Sequence, residues 1–321
     1  MAEIMNRKGK EKNKNITKTD TSEEIKDVKV DAKDKSYVNK NLPLRILTRV
    51  VVTTSLLIVV YYTTQTQKVQ PFAKQSELLL DGKVRTVECS SEYIEEVDKF
   101  QGCVPNRCKR VVNDKVITEE EAAVLLDIAK MGLQFGGSSG GASILDLHSG
   151  ALSHGNHFIN IYKNKDAKKL FNSFHFEIYR IVKEKVKFAV AYYFQVHPEK
   201  IYLTHPTFFS ELTAKEAVTV HDEYWHPHVD KETYSSFHFT TLLYLNDFGV
   251  DFEGGRFVFI DNAVNRTIEP RKARVSMFTS GKENYHFVEK VTKGVRYAMT
   301  ISFTCDIQYA IREPDLKKFL N

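Results

Sequence analysis

The chain has 321 residues, 42% hydrophobic and 27% charged, with a formal net charge of +5. Residues 1–49 carry 13 Lys and Arg against 8 Asp and Glu, a surplus equal to that of the whole chain, so the rest is electrically balanced. A nucleic-acid groove in that larger part is thereby excluded, since it would need a concentrated basic excess, and no nucleic-acid partner is expected.

Residues 1–45 mix Lys, Glu, Asp, Asn and Thr with few apolar side chains, a composition that cannot bury enough surface to fold, and a disordered basic cytosolic tail is expected there. Residues 46–67 are the longest stretch nearly free of charge, with Arg49 able to snorkel, and approach the ~20 residues that cross a bilayer. The bland alternative is a helix buried in a soluble core. A cleaved signal peptide is disfavoured by the long polar lead and the lack of a small-residue cleavage pattern, so the segment reads as a transmembrane signal-anchor. Lys33, Lys35, Lys40, Arg45 and Arg49 precede it, whereas only Lys68 and Lys74 follow closely. The positive-inside rule then gives a single-pass type II protein whose large C-terminal part faces a secretory lumen, endoplasmic reticulum or Golgi.

Cys89, Cys103, Cys108 and Cys305 all lie beyond the span, an even number on the oxidising side. Three pairings are open, and disulfides in a membrane-proximal lumenal stem, residues 68–110, are the preferred reading over free thiols. The remaining 111–321 form one domain. Thr118-Glu119-Glu120-Glu121 has the form of a capping box ahead of a helix over 122–132, and apolar spacing predicts a second helix over 174–194. Between them, the run Gly136 to Gly141 lacks a following Gly-Lys-Ser/Thr, so it reads as a mobile substrate loop or a plain connector rather than a phosphate cradle. Strands are expected over 201–203, 207–212, 217–221, 236–245, 256–260, 273–279 and 297–304. Helices followed by many short strands indicate an α+β fold.

The chemistry is concentrated in His228-Val229-Asp230 and His286. Two His and one carboxylate on one face of a metal leave the opposite face open for co-substrate and dioxygen, the ligand set of non-haem iron(II) oxygenases. On a strand, positions i and i+2 share a face, which would turn His228 and Asp230 inward and Val229 away. Arg296 follows His286 by ten residues on an alternating strand, where its planar guanidinium could grip a carboxylate bidentately, and Thr300 has the same parity.

His228-x-Asp230, Tyr244-Leu245-Asn246-Asp247, Glu253-Gly254-Gly255, His286 and Gly294-x-Arg296-Tyr297 together resemble the prolyl 4-hydroxylase-type branch of the 2-oxoglutarate- and iron-dependent oxygenases. The resemblance covers roughly residues 110–310. It implies a double-stranded β-helix (jelly-roll) core with supporting N-terminal helices, and an enzyme that uses Fe(2+), 2-oxoglutarate and O2, with L-ascorbate as a further cofactor. It also implies that Tyr244 and Thr300 join Arg296 on the distal carboxylate. The implied reaction hydroxylates an unidentified substrate, a protein or peptide side chain or a small molecule, and yields succinate and CO2.

Two rivals stand beside this reading: a jelly-roll interaction module without catalysis, and a zinc hydrolase built on His226, His228 and His286. His221, Asp222, Tyr224 and Trp225 could line the substrate entrance. Asn265-Arg266-Thr267 is a glycosylation sequon expected in an exposed loop, with Asn265 as acceptor, while Asn15-Ile16-Thr17 lies in the tail.

Overall fold

The computed structural model describes residues 42–63 and 69–314. The expected tail lies outside the described residues, Asn15 included. Two compact units are present, divided after Thr64. The first contains helix α1 (Leu42–Thr63), 22 residues long, about 33 Å at the α-helical rise. It starts and ends earlier than the expected 46–67, and residues 64–67 lie outside the described part. Leu44 to Tyr61 form a window apolar enough to cross a membrane, and none of that window is buried by protein. The hydroxyls of Thr48, Thr53 and Thr54 donate to carbonyls one turn back, at 2.5, 2.9 and 2.7 Å, so these three hydroxyls are satisfied within the helix. Such a helix is compatible with a single-pass anchor.

The second unit begins with β1 (Val69–Ala73), β2 (Lys83–Val87), helix α2 (Ser91–Val97) and β3 (Cys108–Asn113). β1 runs parallel to β13 (Asn265–Ile268), nearly two hundred residues later in the chain, and β2 extends the larger sheet through β3. The segment expected as a stem is therefore woven into the sheets of the domain. Its fastening includes Arg274, whose Nε and Nη2 donate to the two carboxylate oxygens of Asp114 at 2.8 and 2.9 Å and whose Nη groups reach the carbonyls of Lys74, Glu77 and Glu269. Both charged groups are almost fully buried. Asp114→Ala leaves that guanidinium uncompensated and is expected to lower the unfolding free energy by about 3–5 kcal/mol, measured by urea denaturation.

Helix α3 (Glu119–Leu133) opens on the capping box expected for it: Glu121 N–H donates to Thr118 Oγ1 and Thr118 N–H to Glu121 Oε2. Next come β4 (Gly137–Ser138), β5 (Ala142–Leu145), β6 (Ala151–Gly155) and β7 (His157–Asn160), then helix α4 (Ser173–Phe194). The strands from 202 onward are β8 (Tyr202–Leu203), β9 (Phe208–Thr213), β10 (Phe239–Tyr244), β11 (Phe252–Gly254), β12 (Phe257–Phe259), β13, β14 (Val275–Thr279), β15 (His286–Val288) and β16 (Val291–Thr304), with the one-turn helix α5 (Asp230–Thr233) before β10. The expected strand over 217–221 is instead a turn. Asp222 takes the N–H groups of Val218 and Thr219 and the Thr219 hydroxyl on one carboxylate oxygen, which curls the chain.

One sheet runs β1-β13-β12-β15, and the larger follows β2-β3-β14-β10-β16-β9-β5-β6-β4. Alternation along β16 divides its side chains between two cores. Met299, Ile301 and Phe303 join α3 and α4 residues such as Leu125, Ile128, Val186 and Val190, whereas Ala298 joins Leu242, Tyr244, Phe257, Phe259 and Phe278 between the sheets. Arg296 and Thr300 share the parity of Ala298. The sheets thus form an antiparallel-rich sandwich supported by helices on one face, in keeping with a jelly roll.

Candidate active site

His286 begins β15 and His228 pairs with it as an isolated bridge. His228 N–H donates to His286 O at 2.8 Å, and the reciprocal bond is 3.0 Å. Val229 is extended and buried, and turns away as expected, but Asp230 is the first residue of α5 and not a strand residue. The extended step at Val229 suffices to carry both side chains to one point. Asp230 Oδ1 lies 3.5 Å from His228 Nε2 and 3.6 Å from His286 Nε2, and the three ligand atoms lie within 4.8 Å of one another.

The imidazoles are oriented by their far nitrogens. His228 Nδ1 lies 2.9 Å from the carbonyl of His226 and His286 Nδ1 2.7 Å from that of Asn284. A carbonyl only accepts, so each Nδ1 carries the proton and each Nε2 presents a lone pair to the cluster. Phe257 stacks on the His286 ring at 4.7 Å. Burial pushes the His286 imidazole down to about 4, which keeps it neutral. For His228, burial acts in the same sense, but Asp230 and the His226 carbonyl outweigh it and the pKa rises. Burial opposes ionisation of Asp230 too, yet the His286 and His228 rings hold its carboxyl below the usual range. Asp230 Oδ2 is buried without a hydrogen bond among the described residues, an acceptor that a cation would satisfy.

These residues open into a cavity of about 480 Å³ between the sheets, within the range of small-molecule sites. Arg296 and Thr300 line it. Arg296 is 2% exposed, and its Nε and Nη2 have no hydrogen-bond partner among the described residues. A buried unpaired guanidinium is costly unless an anion reaches it, and its geometry suits a carboxylate. Gly255, at φ +66°, leaves the space beside it: a Cβ there would approach Arg296 Cδ to 3.0 Å. Tyr244 packs beside Arg296. Its ring lies 5.4 Å from the Arg296 guanidinium, and it is fully buried, with its hydroxyl 3.4 Å from Ser276 Oγ.

Other expected residues separate from the cluster. His226 is 64% exposed and its Nε2 pairs with Glu223, so it borders the cavity without joining the three converging side chains, which removes the geometric basis of a zinc trio. Trp225 lines a neighbouring cleft with Lys290 against its ring, and Tyr224 lines both spaces. Asp222 is buried under the glycine run, where Ser138 Oγ hydrogen-bonds it and a Cβ on Gly140 would stand 2.2 Å from Oδ2. That run is a fastened connector, with Gly137 and Ser138 paired to β6. The His221 side chain lies outside the described residues. Asn265 is not in an exposed loop: it sits in β13, 5% exposed, accepting from Asp261 N–H, so the folded domain does not offer it to a glycosyl donor.

The family model of the 2OG-Fe(II) oxygenase superfamily matches residues 214–304, from the end of β9 to the end of β16. A protein from Rattus norvegicus, 2-oxoglutarate and iron-dependent oxygenase domain-containing protein 3, is 52% identical over 240 residues, covering 74% of this chain and 76% of that protein. The chain belongs to the 2OG-Fe(II) oxygenase superfamily. As a member it is a 2-oxoglutarate-dependent dioxygenase, and the superfamily implies Fe(2+), 2-oxoglutarate and O2. Human prolyl 3-hydroxylase 2 is 45% identical over a shorter stretch of 74 residues, 22% of this chain and 10% of that protein. The viral collagen prolyl hydroxylase of Paramecium Bursaria Chlorella virus-1 aligns over 63% of this oxygenase and 96% of that chain, with 15% identity and a TM-score of 0.40.

Sequence reasoning missed Arg110 and Asn284, which support the site from behind. Asn284 has no signal of its own, but Arg110 stands in Lys109-Arg110-Val111-Val112, an arginine entering an apolar strand, the same pattern that drew attention to Arg296.

Proposed function

We propose that His228, Asp230 and His286 hold Fe(II), that Arg296 receives the distal carboxylate of 2-oxoglutarate with Thr300 beside it, and that the enzyme hydroxylates a protein or peptide side chain. The supporting observation is the meeting, in one cavity, of a His-Asp-His cluster with a buried arginine whose Nε and Nη2 have no hydrogen-bond partner among the described residues. Iron, when bound, supplies the activation of dioxygen and the oxidation of the 2-oxo acid to succinate and CO2. The protein's own part is to orient. The Nδ1–H donors fix the two rings, Asp230 balances cationic charge, and Arg296 sets the co-substrate's far end. Phe257, Phe278, Leu242 and Phe208 supply apolar walls that exclude water around the reacting groups. Ascorbate is proposed as an accessory reductant.

The proposed placement is a type II membrane protein, anchored by α1, with the oxygenase in the lumen of the endoplasmic reticulum or Golgi. Two disulfides, Cys89–Cys108 and Cys103–Cys305, and the absence of free cysteines among the described residues support an oxidising compartment.

The test is an anaerobic titration with Fe(II) and then 2-oxoglutarate, followed by visible absorption. A metal-to-oxo-acid charge-transfer band that needs His228 supports the assignment, and its absence from folded protein overturns it. Arg296→Ala is expected to raise the KM for 2-oxoglutarate about 10- to 100-fold, the value of a lost hydrogen-bonded charge pair, with a smaller effect on kcat at saturation. An unchanged KM would place the co-substrate elsewhere.

A further inference from the structure

The loops that carry the cluster are gripped from behind by a segment upstream of the region the family model matches. Cys89 and Cys108 close a loop that contains α2, and β3 begins at Cys108 and carries Arg110. From this segment run two sets of polar contacts, one to each ligand loop.

Toward Asp230, Glu96 Oε1 lies 2.8 Å from Lys231 Nζ and 3.3 Å from His238 Nε2. Lys231 is the residue after Asp230. Its ammonium also donates to the carbonyls of Ser235 and Phe237, and its N–H to that of Ser280, so the start of α5 is tied on several sides. Tyr93 Oη adds a bond to the carbonyl of His238 at 2.9 Å. Toward His286, Arg110 is 1% exposed, and its Nε donates to Asn284 Oδ1 at 2.7 Å and its Nη2 to Glu283 O at 3.0 Å. Asp261 balances its charge, and Phe259 lies under the guanidinium at 4.1 Å. Ser90 N–H and Oγ both reach Glu283 Oε2. The Asn284 amide donates in turn to Thr279 O at 2.7 Å. Its side chain is held at both ends, and its main-chain carbonyl is the acceptor that orients His286.

We infer that residues 89–110 form a clamp that positions the metal ligands, with Arg110 acting on His286 through Asn284 and Glu96 acting on Asp230 through Lys231. The inference rests on the proposed iron site. Partners that orient ligands at one remove are typically worth about 10- to 100-fold in metal affinity. Lysine at 110 keeps a charge for Asp261, but a single ammonium cannot reproduce the fork that spans the Asn284 side chain and the Glu283 carbonyl.

The experiment is an anaerobic titration of the full chain with Co(II), read by its visible absorption, for wild type, His228→Ala, Arg110→Lys, Glu96→Gln and Leu125→Ala. Leu125 is buried against the helices and serves as a destabilised control. Near-UV circular dichroism fixes a temperature at which each is folded. Binding by wild type and none by His228→Ala establishes the metal site independently of the clamp. The expected result is then a dissociation constant raised about 10-fold or more by Arg110→Lys, raised less by Glu96→Gln, and unchanged by Leu125→Ala. If Arg110→Lys does not fold, Glu96→Gln decides, since Glu96 is partly exposed. Wild-type affinity in the clamp variants, or an equal loss in Leu125→Ala, overturns the clamp while leaving the metal site standing. No Co(II) binding by folded wild type removes the metal site and the clamp with it.

Discussion

Asp230→Ala is expected to abolish oxidation of 2-oxoglutarate while leaving the domain folded, and His228→Ala to do the same. The carboxylate lies between the two imidazoles, 3.5 and 3.6 Å from their Nε2 atoms, and is the only acidic member of the cluster. Without it, two neutral imidazoles remain to bind a divalent cation, with no charge to balance it. The rate should fall by roughly a thousandfold or more, the several kcal/mol that a bound cation contributes to charge stabilisation. Asp230→Asn separates charge from shape: it keeps the volume and one oxygen but loses the negative charge, and retained activity there would mean that charge balance is not what Asp230 supplies. Succinate formation, followed by NMR together with Co(II) binding, distinguishes loss of metal from loss of chemistry. Turnover at the wild-type rate in Asp230→Ala would sink the proposed ligand set.

The legible part of this protein was local. The capping box at Thr118, the apolar face of α4 and the His228-x-Asp230 pair follow from spacing of a few residues, where periodicity dictates which side chains share a face, while His286 and Arg296 were legible as members of an ordered motif set. What failed depended on distant partners. Asn265 looked like a polar loop residue because nothing nearby shows that β1 will pair with its strand from nearly two hundred residues upstream. Trp225 lies close to His228 in sequence, but the turn built on Asp222 sends it into the adjoining cleft. Asp230 reached the cluster from a helical turn rather than a strand, because one extended residue, Val229, is enough to bring i and i+2 together. Arg110 escaped notice because its partners, Asn284 and Asp261, are more than 150 residues away.

The same long reach sets the second large effect. Replacing both Cys103 and Cys305 by serine is expected to cost about 5 kcal/mol of stability on the chain-entropy estimate for so long a loop, against about 3 kcal/mol for Cys89 and Cys108. The sequence separations are 202 and 19 residues. Cys305 directly follows β16, the strand of Arg296 and Thr300, and its N–H donates to His238 Nδ1 at 3.1 Å, so the bond closes the end of the strand that carries the cavity's cation. Urea denaturation with and without reductant measures the effect. Reductant should lower the wild-type midpoint to near that of the Cys103→Ser/Cys305→Ser double variant in the same reductant, and should change that variant less, its remaining sensitivity coming from Cys89–Cys108. Equal midpoints for wild type and double variant under oxidising conditions would show that this cross-link does not hold the domain together. A large loss fits the proposed lumenal location: a domain that draws about 5 kcal/mol from one bond would sacrifice a third or more of the 5–15 kcal/mol typical of folded proteins wherever thiols are kept reduced.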